Sequence, residues 1–306
     1  MSKKLKAILK DKLGLDSYIF SKSAKKIRTA GKFSKKQMEN FLSELPSSFD
    51  VIGSKEKSVA ILEIPEGLER IEKEIAESVM ELQKNIKSVL KKVSKRKGKE
   101  RIRELKLIAG EKKTEVLHKE YGFFLKIDPK LVYFSPREAS ERQRIASQVK
   151  KGEFVLVMFG GVGPFPIAIA KKQPEIKKIV SIEINKYGSK YAEENVRINK
   201  LADKILPIQG DVNEKCEEFF GKCDRVVMPL PLDAGSFLEL AAKCLKEKGG
   251  IIHFYSYGER NEPFDIAKKI IKEKLKGHKF EIICNRIVSQ YSPGKVKVCL
   301  DIMVRK

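Results

Sequence analysis

The hydrophobic rhythm of the chain changes near Gly152. Beyond it, short apolar runs alternate with stretches whose apolar residues recur at helical spacing. Phe154 to Met158 is followed by Ile167 to Lys171, and Ile179 to Ile184 by Ser189 to Asn199; Ile205 to Gln209 stands alone. Arg225 to Met228 is followed by Phe237 to Lys246, then comes Gly250 to Tyr257. Strands alternating with helices predict a mostly parallel, doubly wound α/β sheet. Glu281 to Ser289 and Val296 to Val304, joined through Ser292-Pro293-Gly294, predict a closing hairpin at its edge.

Before Gly152 the pattern is mixed. Leu5, Ile8, Leu9 and Leu13 recur as on a helix. Phe49 to Gly53 and Val59 to Ile64 predict two strands, the second stopped by Pro65 and Gly67, and an amphipathic helix is expected from Leu68 to about Leu90. Val116 to His118, Tyr121 to Leu125 and Leu131 to Phe134 predict further strands of a small α+β domain, and Ser140 to Val149 a linking helix. The expected organisation is a basic helical segment over 1–48, an α+β domain over 49–138 and a nucleotide-cofactor domain over 139–306. No internal repeat is visible.

Charge adds a partner to this picture. Among 306 residues, 64 are Lys or Arg and 41 Asp or Glu, a net charge of +23. A globular chain does not need that excess to fold, whereas Lys and Arg that neutralise phosphates dominate affinity for nucleic acids. The excess is concentrated. The first 36 residues hold 12 Lys or Arg, and Lys91, Lys92, Lys95, Arg96, Lys97, Lys99, Arg101 and Arg103 are opposed only by Glu100. This second run is either a solvated loop or a phosphate-gripping loop or strand pair. No apolar run approaches membrane-spanning length, and no lipidation motif is present. The five cysteines form no C-x-x-C pair and the three histidines no metal-ligand spacing, so a cytoplasmic protein with reduced thiols and no metal is expected.

The chemistry gathers at the strand ends. Phe154 to Met158 runs into Phe159-Gly160-Gly161-Val162-Gly163-Pro164-Phe165, and glycines there let a backbone approach a ligand closely. Glu183 ends the next apolar strand, at a spacing suited to both hydroxyls of a ribose. Asp211, after the third strand, is placed to accept from an adenine amino group. The loop is not G-x-G-x-x-G, which disfavours a dinucleotide. Met228-Pro229-Leu230-Pro231 ends the fourth strand with a segment that is rigid but offers no side-chain donor, and its position is similar to the proline segment that shapes the base pocket in methyltransferases acting on base nitrogens.

Together with Tyr133-Phe134-Ser135-Pro136-Arg137, Glu141-Arg142, Glu194-Asn195, Asn199-Lys200-Leu201, Ala234, Phe237 and Tyr291-Ser292-Pro293, these motifs are similar to those of the archaeal and eukaryotic tRNA guanine-37 N1-methyltransferases. The resemblance runs from Asp50 to the C-terminus. It implies a class I methyltransferase domain, S-adenosylmethionine as cofactor, and the anticodon loop of tRNA as partner of a monomer. By position it implies a catalytic arginine at Arg101, a catalytic acid at Glu141, and a tyrosine beside the target base at Tyr133. Arg137, Arg142, Phe159, Glu183, Ile184, Asp211 and Val212 fall on cofactor-lining positions, alongside the loop glycines Gly161 and Gly163 and Pro231. Lys95, Arg96, Lys97, Arg103 and Pro229 are expected on the RNA side. The chain departs from the family pattern in Pro229 where an asparagine is usual, Val157 where an acid is usual, Glu183 in place of aspartate, and a small N-terminal tRNA-elbow domain expected to be missing.

On this reading Glu141 removes the proton from guanine N1 and Arg101 stabilises the charge that builds on O6. Two alternatives stand: a wyosine-pathway enzyme that methylates the tricyclic precursor or transfers an aminocarboxypropyl group, and a non-catalytic RNA-binding protein.

Overall fold

The computed structural model describes residues 49–94, 103–231 and 233–305, together with Lys4, Ala7, Ile8 and Lys12. The helix expected near the N-terminus therefore lies largely outside the described residues. The chain forms two compact units: Met1–His118 with Asp128–Lys130, and Lys119–Ile127 with Leu131–Lys306.

The first unit carries a four-stranded sheet in the order β1 (Asp50–Gly53), β2 (Ser58–Leu62), β3 (Ile86–Lys92), β4 (Leu105–Gly110). Strands β2 and β3 are parallel, so the chain must cross over between them; helix α1 (Glu72–Leu82) makes the crossover. Ala60, Leu62, Leu68, Ile75, Val79, Ile86 and Val89 form the core of this unit. The single helix expected over Leu68 to Leu90 is corrected here. It stops at Leu82, and Ile86 to Lys92 is strand β3. Asn85 explains the break: its amide donates to Ser54 O at 3.0 Å and Ser58 Oγ at 3.1 Å, partners that a continuing helix could not reach. Lys91 pairs with Glu72, and Lys92 with Glu63 at 3.1 Å, so the first two cations of the basic run serve the sheet. Strands β3 and β4 pair antiparallel, with Lys92 opposite Leu105. Lys95, Arg96, Lys97 and Arg101 lie outside the described residues.

Strands β5 (Val116–Glu120) and β6 (Phe123–Ile127) form a two-stranded sheet joined by Tyr121 and Gly122, both at positive φ as tight hairpins require. The strand expected over Leu131 to Phe134 does not form. That stretch is turn and irregular chain. Val132 and Phe134 are buried, and the Leu131 carbonyl accepts from the Asn185 amide at 3.0 Å instead of a neighbouring strand.

The second unit is built on a seven-stranded sheet, β12-β13-β11-β10-β7-β8-β9. Its strands are β7 (Phe154–Met158), β8 (Lys178–Glu183), β9 (Ile205–Gln209), β10 (Arg225–Met228), β11 (Gly250–Glu259), β12 (Lys279–Ser292) and β13 (Lys295–Arg305). Strands β7 to β11 are parallel, and β13 and β12 close the edge as an antiparallel hairpin, as expected. The helices are α2 (Ala139–Gln148), α3 (Pro164–Lys172), α4 (Lys186–Ile198), α5 (Val212–Lys215), α6 (Leu238–Cys244) and α7 (Asp265–Lys274), of which α5 and α7 had no counterpart in the sequence pattern. Leu156, Met158, Val180, Ile182, Phe254, Val298, Leu300 and Ile302 lie in its core. The chain leaves β7 toward β8 on one side and returns to β10 on the other, which makes the carboxyl end of β7 the switch point where open α/β sheets bind ligands.

Two asparagines tie β6 into this unit. Asn195 accepts from Lys126 N at 2.6 Å and donates to Lys126 O at 3.1 Å; Asn199, one turn on, does the same with Phe124 at 3.1 and 2.6 Å. Asn195 also donates to Val162 O in the glycine loop at 3.0 Å. Among the described residues no helix is long and apolar enough to cross a membrane.

Candidate active site

The glycine loop stands at the switch point. Phe159 takes φ of 60°, costly for a non-glycine residue, and its ring packs edge-on against Phe237 with centroids 5.0 Å apart. A Cβ on Gly160 would collide with Ser181 Oγ unless that hydroxyl turned away, so the loop lies close against β8 here. Gly161 follows with φ of 56°, and a Cβ there would meet nothing nearer than the Tyr133 carbonyl at 3.9 Å. Gly163 caps α3 in the left-handed conformation. Glu183, at the end of β8, accepts from Gly161 N at 2.7 Å and Asn185 N at 2.8 Å. Ile184 beside it is half-buried. Asp211 caps α5 by accepting from Asn213 N at 2.9 Å, with Val212 buried behind it. The structure therefore brings together an open backbone face and two carboxylates on neighbouring strand ends. Those acceptors fit the hydroxyls of a ribose and the amino group of an adenine, and so fit S-adenosylmethionine.

A second, buried assembly lies on one face of β10, β11 and β13. Side chains alternate faces along a strand, so His253 and Tyr255 share a face, as do Lys297, Cys299 and Asp301. The register sets His253 opposite Asp301 and Tyr255 opposite Cys299. Glu141, Arg144 and Gln148 project from one side of α2 to meet them. Glu141 is 1% exposed. It accepts from Arg144 through both oxygens, at 2.9 and 2.8 Å, and from Tyr255 Oη at 2.8 Å. Arg286, an exposed residue of β12, pairs with it at 3.2 Å. Arg144 also reaches Asp301 at 2.6 and 3.1 Å, and Gln148 donates to Asp301 at 3.0 Å. Asp301 lies 2.7 Å from His253 Nδ1, and His253 Nε2 lies 2.7 Å from Arg225, which pairs with Glu153. A guanidinium only donates, so Nε2 accepts and the proton sits on Nδ1, facing Asp301.

The ionisation states follow from these partners. Burial would raise Asp301, but bonds from His253 and Arg144 outweigh it and keep its carboxyl well below the usual range. Burial lowers His253; Asp301 opposes this, while the Arg225 and Arg144 guanidiniums add to the depression. His253, Cys299 and Asp301 offer three ligand atoms within 4.8 Å of one another, yet two guanidiniums already bond this group, the wrong charge beside a cation. The neutral histidine makes stability depend on pH. Unfolded His253 takes a proton below about 6.5 that the folded form refuses, so stability is complete above that value and is lost as pH falls from it toward the depressed folded value. We expect the urea midpoint to fall between about pH 7 and pH 5.5, at up to about 1.4 kcal/mol per pH unit. His253→Gln should flatten that slope; an unchanged slope in the variant would assign it elsewhere.

Tyr255 connects the two assemblies. Phe165, at the start of α3, meets its ring edge-on with centroids 6.1 Å apart, while its hydroxyl bonds Glu141. Lys297 lies 5.0 Å over the same ring, pairs with the buried Glu138 at 2.9 Å, and donates to Pro229 O at 3.1 Å. The segment where Pro229 replaces an asparagine is thus held through its backbone. Pro231 is half-buried beyond it, and the exposed Tyr133 places its hydroxyl 3.5 Å from Glu138. Arg137 is exposed. Arg142 is buried: its guanidinium forks onto buried Glu120, with Nε to Oε1 at 2.8 Å, donates to Ser135 O at 3.1 Å and lies over the Phe134 ring. Arg103 belongs to the first unit, and the proposed partner of Glu141, Arg101, is outside the described residues. Sequence reasoning missed Arg144, Tyr255, His253, Lys297 and Asp301. The available signal was a polar side chain inside an otherwise apolar strand, as in Ile251-Ile252-His253-Phe254 and Cys299-Leu300-Asp301-Ile302.

Strand order, antiparallel closing hairpin and glycine loop define a class I methyltransferase domain, the fold of enzymes that use S-adenosylmethionine. Residues 116–283 match the TRM5/TYW2 methyltransferase domain and residues 32–114 the TYW2 N-terminal domain, and the chain belongs to the TRM5/TYW2 family. It is 42% identical over 262 residues to the tRNA (guanine(37)-N(1))-methyltransferase Trm5b of Pyrococcus abyssi, covering 85% of this chain and 76% of that protein. It is also 31% identical to the tRNA(Phe) (4-demethylwyosine(37)-C(7)) aminocarboxypropyltransferase of Pyrococcus horikoshii, over 89% of this chain and 95% of that one. Among solved structures, the complex of aTrm5 with tRNALeu matches with a TM-score of 0.76 at 36% identity, covering 94% of this chain and 81% of that one.

Proposed function

We propose that the protein methylates N1 of guanosine 37 in tRNA. The observation that carries this reading is the position of Glu141. It is a buried carboxylate, joined through Tyr255 and Phe165 to the helix that begins in the glycine loop. The net charge of +23 suits a tRNA, the substrate class named for the relatives.

Bound S-adenosylmethionine supplies an electrophilic methyl group. The open backbone at Gly161 with Glu183 would hold its ribose and Asp211 its adenine, with Phe159 and Val212 alongside. Guanine N1 carries a proton at neutral pH and is a poor nucleophile until that proton leaves. Glu141 takes it. Among the described residues paired with it, Arg286 is the exposed one, so the incoming N1–H displaces the Arg286 ion pair while Arg144 and Tyr255 keep the carboxylate in place. Arg101 stabilises the charge that builds on O6. Tyr133, exposed on the segment before α2, is suited to stack on an extruded anticodon-loop base.

A wyosine-pathway reaction is the second reading. Pro229 in place of the asparagine amide favours it, as does the 31% identity with an aminocarboxypropyltransferase. One experiment separates the two. Unmodified tRNA with guanosine at position 37 should gain the mass of one methyl group, and the same tRNA with adenosine there should gain nothing. The heavier four-carbon amino acid unit, or modification only of a tricyclic base, would replace the first reading with the second.

A further inference from the structure

Glu141 is held by groups that are themselves held. Arg144 forks onto it through Nε and Nη2, and the same guanidinium is fixed from behind by Asp301, at 2.6 and 3.1 Å. Asp301 is bonded in turn by His253 and Gln148, and His253 by Arg225. Burial alone would lower the pKa of Arg144, but bonds to Glu141 and Asp301 outweigh it and keep the cation protonated. Ion pairs in such a place are a poor way to add stability, because apolar side chains of similar volume would avoid the desolvation cost. What the assembly does supply is orientation. The fork defines the plane of the Glu141 carboxylate, and the exposed Arg286 is the partner that an incoming group could displace from it.

We infer that Arg144 is a positioning residue, which with Asp301 and His253 behind it fixes the carboxylate of Glu141 so that one edge is presented to the incoming base. The inference rests on the reading of Glu141 as the general base, and the test separates the two. The groups facing that carboxylate are Arg144 from its own helix, Tyr255 from β11, Cys299 and Asp301 from β13, and Arg286 from β12. Arg144→Lys keeps a cation between the two buried acids but loses the fork. Its single-turnover rate should fall about ten- to a hundredfold, the scale of a small misplacement of a reacting group, with S-adenosylmethionine affinity by calorimetry unchanged. Added to Glu141→Gln, it should cost nothing further, because its effect passes through Glu141. Arg144→Met removes the cation as well, so the acid limb of the pH–rate profile should move to higher pH, a change that a purely structural role does not produce.

A wild-type rate in Arg144→Lys, losses that add fully in the double variant, or a uniform drop at every pH in Arg144→Met would each overturn the inference while leaving the base assignment standing. A normal rate in Glu141→Gln alone would remove the base assignment itself.

Discussion

Glu141→Gln is expected to slow single-turnover methyl transfer by at least about a hundredfold, the usual scale for a general base, while S-adenosylmethionine still binds. The substitution preserves volume and one acceptor oxygen. That oxygen can still receive Tyr255 and one nitrogen of Arg144, so the surrounding structure keeps most of its bonds. It loses the capacity to accept a proton. The new amide nitrogen also points a donor at Arg144 Nε and Arg286, where only acceptors belong. Rates under single turnover, with cofactor affinity from calorimetry, isolate the chemical step. A variant within a few-fold of wild type would mean that another group takes the N1 proton.

The second large effect concerns stability. Arg142 and Glu120 have side chains 2% and 3% exposed and form a bidentate pair. Arg142→Met removes the fork from the buried Glu120 carboxylate, and breaking a buried pair from one side costs about 3–5 kcal/mol. Chemical denaturation should report a loss of that size. Replacing Glu120 by leucine in the same chain should recover much of it, since removing both charges also removes their desolvation cost. A loss under about 1 kcal/mol in Arg142→Met would show that water reaches Glu120 in solution.

The methyltransferase sheet was legible because its inner strands are covered on both faces, so β7, β8 and β10 appear as short, nearly continuous apolar runs. The helix α1 and strand β3 were not separable by pattern: residues 68–90 keep an apolar spacing compatible with a helix, and the break depends on Asn85 finding partners on a distant turn. Leu131 to Phe134 is an apolar run like a buried strand, but its Leu131 carbonyl accepts from the Asn185 amide and it pairs with no strand among the described residues. In the site, the glycine loop, Glu183 and Asp211 lie close to strand ends and could be found by spacing. Arg144, His253 and Asp301 could not, because cross-strand register sets His253 beside Asp301 and the packing of α2 brings Arg144 to them, rather than proximity in sequence. Arg142 is adjacent to Glu141 in sequence, yet it points into a different pair, as neighbours on a helix do.

Asn195 and Asn199 bear on how the family can change length. Four helical residues advance about 6 Å and two strand residues about 6.8 Å, which is why side-chain amides one turn apart can serve alternate residues of a strand. The match is a vernier between two different repeats, and it holds only for this pair of phases. One residue inserted between Phe124 and Lys126, or between Asn195 and Asn199, would break this phase, so that the two amides could no longer both pair. Insertions should therefore accumulate in the loops outside residues 124–126 and 195–199, where they leave the phase untouched. The filled edge has a further effect: Phe124 and Lys126 offer no open backbone groups to a strand from another molecule, so a ribbon of only two strands is shielded from templating aggregation along that side.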